Sequence, residues 1–270
     1  MMRALWTGAS GMKAQQIAVD TIAQNISNVN TTGYKAQSTQ FKTLLYQTLR
    51  TETTTANGEN KPSSAQVGLG TRVASLNSLY TDGAMLANES ETSIALSGDG
   101  FFGIIGADGK TYYTRNGAFT WSLDANGNKT LATPQGNPVL CQEGSPVTIP
   151  ATAGAVNISQ EGEVSVKNEE GVYVPTGHVI AIYQFLNPTG LTKMSNSLLA
   201  ESDASGQPME EWSTEGLSKT RVSQYYLEGS NVNVADEMVN LIVSQRAYEL
   251  NSKAITTSDT MLEQANNLKR

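Results

Sequence analysis

The chain has 270 residues, of which 18 are Lys or Arg and 25 are Asp or Glu, so its formal net charge is −7. This acidic balance, without a cluster of Lys and Arg, argues against a nucleic-acid partner, because such a partner requires concentrated positive charge. Charged residues make up only 16% of the chain, against about 25% in typical globular domains, and neutral polar residues take their place.

The chain contains one cysteine, Cys141, and one histidine, His178. An intrachain disulfide and a cysteine-based metal site are therefore excluded, and zinc sites and catalytic triads lack their usual residues. We expect no catalytic residues, no metal and no other cofactor. The N-terminus has no apolar run of signal-peptide length, and no segment reaches the roughly 20 apolar residues that cross a bilayer. These rules alone predict a cytoplasmic protein without membrane insertion.

The first predicted element is a long amphipathic helix. Its apolar residues recur every seven positions, with others between them in the last turns: Leu5, Met12, Val19 and Ile26, then Ile22 and Val29. This spacing predicts a helix that begins within residues 2–6 and ends near Asn28, where Gly33 is available for a left-handed turn. Gly8 and Gly11 weaken the helix by about 1 kcal/mol each relative to Ala, or else allow close contact with another helix.

The middle of the chain begins with two short segments of different character. Residues 41–49 form a further short amphipathic segment, with apolar residues on one side. Residues 51–66 lack large apolar residues and contain Gly58 and Pro62, so we expect a flexible linker or an exposed loop. A role for this segment in restricting sliding between neighbouring subunits and a solvated loop without a role both remain open.

From residue 67 to about 226 the pattern changes to short strands separated by turns. Asp108-Gly109 and Asn126-Gly127 are hairpin signals. Strands are predicted at residues 71–80, 92–97, 101–105, 111–115, 118–123, 137–141, 156–158, 164–167 and 179–185. Residues 188–224 are polar and rich in Gly, so we expect little regular structure there.

The C-terminal segment 231–268 predicts a second long helix. Two rows of apolar residues recur every seven positions: Val234, Leu241, Tyr248, Ile255 and Leu262, then Ala247, Ala254, Met261 and Leu268. This spacing favours packing against another helix. Asn233 can cap the helix, and Asp236 and Glu237 place negative charge in the first turn, as the helix dipole favours.

The order of elements predicts the domain organisation. Residues 1–35 and 231–270 form a discontinuous helical coiled-coil domain from both termini, residues 36–70 form an extended connection, and residues 71–230 form an inserted β-rich outer domain. The fold class is therefore α+β. Because two isolated helices gain little stability alone, we expect residues 1–30 and 234–270 to be mobile in dilute monomer and helical after polymerisation.

Four segments resemble the bacterial flagellar rod and hook proteins. NISNVNTTGYK at 25–35 is similar to the N-terminal signature of that family. NVNVADEMVNLIVSQRAYELNSK at 231–253 resembles its C-terminal signature, and is closest to distal rod members. SGDGFF at 97–102 and YTRNGAF at 113–119 resemble hairpins of the family's β-domain. Proximal rod and hook-type subunits share the terminal motifs, so these motifs indicate the family better than the member.

The resemblance implies a structural subunit of the flagellar basal body, without enzymatic activity, that polymerises helically into the rod and transmits torque from motor to hook. Its implied partners are copies of itself, other rod and hook subunits, the flagellar type III export apparatus and surrounding bushing rings if present. Export in this family uses no cleaved signal peptide, so the absence of one does not indicate a cytoplasmic protein. The resemblance therefore implies a location in the extracytoplasmic basal body of the flagellum. We assign assembly contacts to Leu5, Met12, Val19, Ile22, Ile26, Asn28, Gly33, Tyr34, Leu241, Tyr248, Ile255, Met261 and Leu262.

Two other classes of function remain as alternatives at this stage. A glycan-cleaving enzyme could pair carboxylates of the β-rich region, namely Asp99, Asp108, Asp124 and Glu143. Glycine lies beside Asp99 and Asp108, and Asp124 is close to Asn126-Gly127, so turn chemistry explains these residues better. A secreted adhesin with a coiled stalk would show cleavage of an N-terminal leader.

Overall fold

The computed structural model describes residues 2–50, 65–124, 127–168, 171–214 and 216–268. Both ends of the described chain are helical: α1 spans Met2–Ser27 and α2 spans Val234–Asn267. The two helices pack together, and a β-rich region is inserted between them in the chain. This architecture confirms the predicted fold class.

Local sequence accounts for the ends of the helices. Asn233 caps α2, since its Oδ1 accepts a hydrogen bond from the backbone N–H of Ala235 at 3.1 Å. α1 ends at Ser27, and Gly33 has a φ of +69°, the left-handed conformation that glycine tolerates. The predicted start of α2 and the predicted end of α1 are confirmed.

The chain folds into two compact units. The first, which we call the helical unit, comprises Met1–Ser27, Gln37–Ser78 and Asn233–Arg270. The second, the β-rich unit, comprises Asn28–Ala36 and Leu79–Val232. The three-part division expected from the sequence, with a separate connection at 36–70, stays a prediction.

The helical unit also contains antiparallel β-structure. Its described strands are β1 (Gln37–Thr43), β2 (Tyr46–Arg50), β3 (Ala65–Gly68) and β4 (Thr71–Ser78). β1 pairs with β4 and β2 pairs with β3, so that Gln37 lies opposite Ser78 and Tyr46 opposite Gly68. The segment predicted to be amphipathic at 41–49 is therefore extended. Most of the predicted linker, residues 51–64, lies outside the described residues.

The β-rich unit is built from short strands. Its described elements are β5 (Met85–Ala87), β6 (Ile94–Ser97), β7 (Phe101–Ile105), β8 (Thr111–Thr114), β9 (Thr120–Leu123), β10 (Lys129–Ala132), β11 (Thr148–Ile149), β12 (Val156–Ile158), β13 (Glu163–Lys167), β14 (Tyr173–Val179), β15 (Ile182–Gln184), a 3-10 turn (Pro188–Gly190), β16 (Thr192–Lys193), β17 (Leu199–Ala200), β18 (Met209–Glu210), β19 (Arg221–Gln224) and β20 (Tyr226–Glu228). Gly109 and Gly127 have positive φ in the turns between β7 and β8 and between β9 and β10, which confirms both hairpin signals.

The largest described sheet has six strands in the order β16-β17-β8-β7-β15-β18. Smaller antiparallel sheets are formed by β11-β10-β9, by β12-β13-β14, by β19-β6 and by β20-β5. β16, β17 and β18 come from the segment 188–224, where we expected little regular structure, and they form both edges of the six-stranded sheet. β17 pairs with β8 and β18 pairs with β15, while β16 pairs with the nearby β17. Pairing with strands outside the segment thus creates β17 and β18, since their local sequence carries no strand pattern.

Two apolar clusters form the core of the β-rich unit. Phe102 and Ile104 belong to the larger cluster, and Phe101 belongs to the smaller one, because successive side chains of β7 point to opposite faces of the sheet. Phe102, Ile104 and Ile180 are fully buried, at 0% exposure. The β-rich unit thus has a core of its own.

Candidate functional site: the helix pair and a buried ionic cluster

Small residues allow α1 and α2 to approach closely. A Cβ atom placed on Gly8 would lie 2.9 Å from Ile255 Cγ1, and one placed on Gly11 would lie 2.9 Å from Asn251 Nδ2. Real Cβ atoms do not approach other heavy atoms this closely without displacement. Ala14 and Ala18 on α1 are also buried, at 3% exposure each. Both glycines therefore provide close helix contact, which was one of the two alternatives.

The face of α2 that packs on α1 combines one apolar row with one polar row. The apolar row, Leu241, Ile255 and Leu262, is half-buried. The polar row also recurs every seven residues and consists of Glu237, Ser244, Asn251 and Ser258. Among the described residues of α2, only Ser244 and Ser258 are buried, with 9% and 8% of their surface exposed. Apolar periodicity does not detect this row, because its members are not apolar.

Asn25 joins three elements of the helical unit. Its side chain is 1% exposed. Its Nδ2 donates hydrogen bonds to the backbone carbonyl of Gln37 at 2.8 Å and to Glu237 Oε1 at 3.1 Å, while its Oδ1 accepts one from the Gln37 N–H at 2.9 Å. The last turn of α1 is thereby tied to the start of β1 and to the first turn of α2. Burial raises the pKa of the Glu237 carboxyl; the bond from Asn25 opposes this rise, and the charge of Asp236 adds to it.

The predicted assembly residues occupy different environments. Ile22 is buried at 8% exposure, and Tyr248 and Met261 are exposed at 42% and 52%. The others are half-buried: Leu5, Met12, Val19, Ile26, Asn28, Gly33, Tyr34, Leu241, Ile255 and Leu262. Val19 and Tyr248 line one groove of about 390 Å³ on the helical unit. Asn28, Gly33 and Tyr34 belong to the β-rich unit instead. Contacts of these residues with other subunits stay a prediction.

Large apolar side chains on α1 and α2 face away from their mutual contact. Met2 and Trp6 on α1 are 71% and 73% exposed. On α2, Val243 is 61% exposed and Leu250 is 68% exposed, and Val239 and Ile242 are similarly open. Val239 lies one helical turn from Ile242 and Val243, and neighbouring exposed apolar side chains of this kind indicate an interaction site.

A cluster of four charged residues lies in the β-rich unit, and we call Lys35, Asp82, Arg115 and Glu228 the ionic cluster. Lys35 Nζ is 2.6 Å from Glu228 Oε1, and Arg115 Nε is 3.2 Å from Glu228 Oε2. Arg115 also pairs with Asp82 at 2.8 Å. Three of the four side chains are almost fully buried, whereas Asp82 is 45% exposed. Burial lowers the pKa of Lys35, and the nearby charge of Arg115 lowers it further, while Glu228 opposes both.

The ionic cluster brings together the sequence motifs of the β-rich unit. Lys35 ends the N-terminal signature, and Arg115 lies in the YTRNGAF hairpin. Arg115 NH1 donates hydrogen bonds of 2.6 Å to the carbonyls of Gly98 and Gly100, both in the SGDGFF motif. These charged residues give no signal in the sequence, because Lys35 and Glu228 are 193 positions apart and neither belongs to a periodic pattern.

Gly33 shows why the N-terminal signature requires a glycine. Its φ is positive, and an added Cβ would lie 2.7 Å from the backbone of Arg115 and Asn116. Its N–H donates a hydrogen bond of 2.8 Å to the carbonyl of Glu228. Any other residue would strain the turn and also collide with the hairpin.

Among the carboxylates considered for catalysis, Asp108 takes part in the hydrogen bonds of its own turn. Asp108 accepts hydrogen bonds from the Lys110 N–H at 3.3 Å and from the Tyr112 hydroxyl at 2.9 Å. The Tyr112 bond lowers the pKa of Asp108, so this residue stabilises its turn as an ionised acceptor. In the part of the chain that the structure describes, no group of three or more His, Cys, Asp or Glu residues could hold a metal ion. None of the described helices has the length and hydropathy needed to span a membrane.

Three family models match separate parts of the chain. The model "Flagella basal body rod protein" matches residues 5–35, "Flagellar hook protein FlgE/F/G D1 domain" matches 95–166, and "Flagellar basal body rod FlgEFG protein C-terminal" matches 223–268. The first and last matches cover much of the two packed helices, and the second lies in the β-rich unit. The fold and these matches together define a structural protein of the flagellar rod and hook class.

Full-length relatives make the assignment more specific. The chain is 45% identical over 274 residues to the flagellar basal-body rod protein FlgG of Borreliella burgdorferi, and 37% identical over 270 residues to FlgG of Bacillus subtilis; each alignment covers 100% of both chains. FlgG of Buchnera aphidicola from Acyrthosiphon pisum is 38% identical over 99% of this chain and 100% of its own. The chain belongs to the FlgG family of flagellar basal-body rod proteins. It is a structural component of the rod and not an enzyme, as its motifs predicted.

Proposed function

We propose that the chain polymerises helically with copies of itself to form the distal rod, in which it transmits torque from the motor to the hook. Membership of the rod family implies assembly with rod and hook subunits. The proposed direct partners are further copies of this chain, the preceding rod subunits, the hook subunits and the rings that surround the rod where they are present. Delivery by the flagellar type III export apparatus, without a cleaved signal peptide, belongs to the same proposal.

The exposed apolar surface of the helices supports polymerisation most directly. Val243 and Leu250 project large side chains from α2 that α1 does not cover, and Trp6 on α1 is 73% exposed. Burying such side chains releases about 1.5 to 3 kcal/mol each, so contact with another copy offers a large driving force. A rod that grows without limit requires head-to-tail contacts that do not close into a ring.

The same burial pattern supports folding that is coupled to assembly. Within the described part of α2, the buried residues are Ser244 and Ser258. Serine side chains are small and polar, so their burial removes little apolar surface from water. Isolated helices gain most of their stability from packing of an apolar face. A single chain therefore gives α2 little stabilisation, and neighbouring copies supply the remainder.

Substitution of one outward residue tests the proposed polymerisation. Val243→Asp places a charge on the exposed face of α2 and should raise the critical concentration for assembly at least about tenfold, because burying that charge between subunits is costly. Val172→Asp is the matched control, since Val172 is 59% exposed in the β-rich unit and Val243 is 61% exposed. Sedimentation of assembled polymer measures both variants. Assembly of Val243→Asp at the parent's critical concentration would contradict the proposal.

A further inference from the structure

The chain passes between the two compact units four times. The passages lie at 27/28, 36/37, 78/79 and 232/233. Within the β-rich unit they involve three segments, namely 28–36, 79–84 and 228–232, which we call the crossing segments. Each crossing segment is hydrogen-bonded to at least one other, although they are far apart in the sequence.

The ionic cluster holds all three crossing segments. Lys35 Nζ donates a hydrogen bond to the carbonyl of Thr81 at 2.7 Å and to Glu228 Oε1 at 2.6 Å. Glu228 Oε1 also accepts one from the backbone N–H of Gly83 at 3.0 Å. Lys35 therefore links the first segment to the other two, and Glu228 links the third to the other two.

Asn231 makes a second connection beside the cluster. Its Oδ1 accepts a hydrogen bond from the Ala36 N–H at 2.7 Å, and its Nδ2 donates to the carbonyl of Leu79 at 2.8 Å. The Leu79 N–H in turn donates to the carbonyl of Ala36 at 2.8 Å. Ala36 and Leu79, each beside a passage, and Asn231, two residues before Asn233, are thus bonded to one another.

We infer that Lys35, Arg115, Glu228 and Asn231 form a clamp that fixes the positions at which the chain enters and leaves the β-rich unit. Arg115 anchors the clamp to the unit, because its guanidinium bonds the carbonyls of Gly98 and Gly100 as well as pairing with Glu228. These residues are positioning residues: they act on the backbone of the crossing segments and not on another subunit. The clamp adds to the proposed polymerisation and does not depend on it.

Buried charge suits this role better than apolar packing. Apolar contacts are non-directional, so they tolerate shifts of one segment against another. The hydrogen bonds of Lys35 and Glu228 form only when donor and acceptor are correctly placed, so they fix the positions of the segments. Loss of one member leaves the buried cluster with an unbalanced charge, so a slipped arrangement of the crossing segments is disfavoured. Lys35 and Arg115 carry two positive charges against the two negative charges of Asp82 and Glu228, so the cluster is neutral as a whole.

Hydrogen exchange on the full-length monomer tests the clamp without any need for polymer. Lys35→Met and Glu228→Gln should each raise exchange of the Ala36, Gly83 and Gly229 amides about tenfold or more. Each substitution weakens the charge-assisted bonds that join the crossing segments to which these amides belong. The Leu131 and Val139 amides, which bond to carbonyls of the apolar core, should change by less than about twofold. Arg246→Met is the control, since it breaks an ion pair whose side chains are 74% and 62% exposed.

A double variant separates the clamp from a general contribution to stability. If Lys35 acts through Glu228, the variant Lys35→Met with Glu228→Gln should raise exchange of the crossing amides no more than the larger single change does. Asn231→Ala, which removes no charge, should raise exchange at Ala36 even if the charge variants fold poorly. Three results would overturn the clamp: unchanged exchange in the crossing segments, an equal rise at Leu131 and Val139, or additive effects of the two charge substitutions.

Discussion

Substitution of Gly8 by alanine measures how closely the two helices pack. Within a helix, alanine is favoured over glycine by about 1 kcal/mol. Against this gain, the new Cβ would lie 2.9 Å from Ile255 Cγ1 and 3.3 Å from its Cδ1, and overpacking of this kind costs about 1 to 3 kcal/mol. The net effect of Gly8→Ala is therefore a loss of up to about 2 kcal/mol in the packing of α1 on α2.

Shortening Ile255, the residue that Gly8 contacts, should reverse the effect of Gly8→Ala from destabilising to stabilising. Ile255→Ala removes both crowding carbons, after which the nearest atom to the new Cβ is the Asn251 carbonyl oxygen at an ordinary 3.5 Å. In that background Gly8→Ala should stabilise the pair by about 1 kcal/mol, from helix propensity alone. Ile255→Val is the control: valine keeps a γ carbon near position 8, so Gly8→Ala should still be destabilising in that background.

The critical concentration for assembly measures these free energies. Since about 1.4 kcal/mol corresponds to a tenfold change in an equilibrium constant, Gly8→Ala should raise the critical concentration by up to about 30-fold in the parent chain. It should lower the critical concentration about fivefold in the Ile255→Ala background. Equal effects of Gly8→Ala in the parent, Ile255→Val and Ile255→Ala chains would refute the close approach of Gly8 to Ile255.

The remaining predictions concern the helix contact, its acidic residue and the linker. Leu241→Asp and Ile255→Asp should each stop assembly by burying a charge, while circular dichroism of the monomer shows the β-rich unit still folded; normal polymer from both variants would refute the assigned contact. The raised pKa of Glu237 means that the folded state binds the proton more tightly, so polymer stability should rise as pH falls through that pKa. Glu237→Gln should stabilise polymer at neutral pH and reduce this pH dependence, and an unchanged pH profile would exclude Glu237 as its source. Deletion of residues 51–66 should increase filament flexibility in electron micrographs if the segment restricts sliding between subunits, whereas unchanged rigidity would favour a loop without a role.

The two long helices could be predicted because their apolar residues follow a seven-residue period and their ends carry local signals. Asn233 provides the cap of α2, and Gly33 provides the left-handed turn beyond α1. The hairpins at Gly109 and Gly127 could be predicted for the same reason, since their turns depend on adjacent residues. Features set by neighbouring residues were therefore predicted well.

Features set by distant residues could not be predicted from periodicity. The apolar residues of 41–49 fall at helical spacing, yet pairing of β1 with β4 and of β2 with β3 makes this segment extended. The polar row that includes Ser244 and Asn251 carries no apolar signal, although it packs on α1. The contact between Lys35 and Glu228 joins positions 193 residues apart, and only the folded chain brings them together.

Hydrogen exchange of α1 and α2, compared between dilute monomer and assembled polymer, shows whether the two helices fold only on assembly. Because α2 buries little apolar surface within one chain, we expect the amides of both helices to exchange rapidly in the monomer and to become strongly protected in the polymer. The core amides of the β-rich unit, such as Leu131, should be protected in both states. Strong protection of both helices in the monomer would contradict folding that is coupled to assembly.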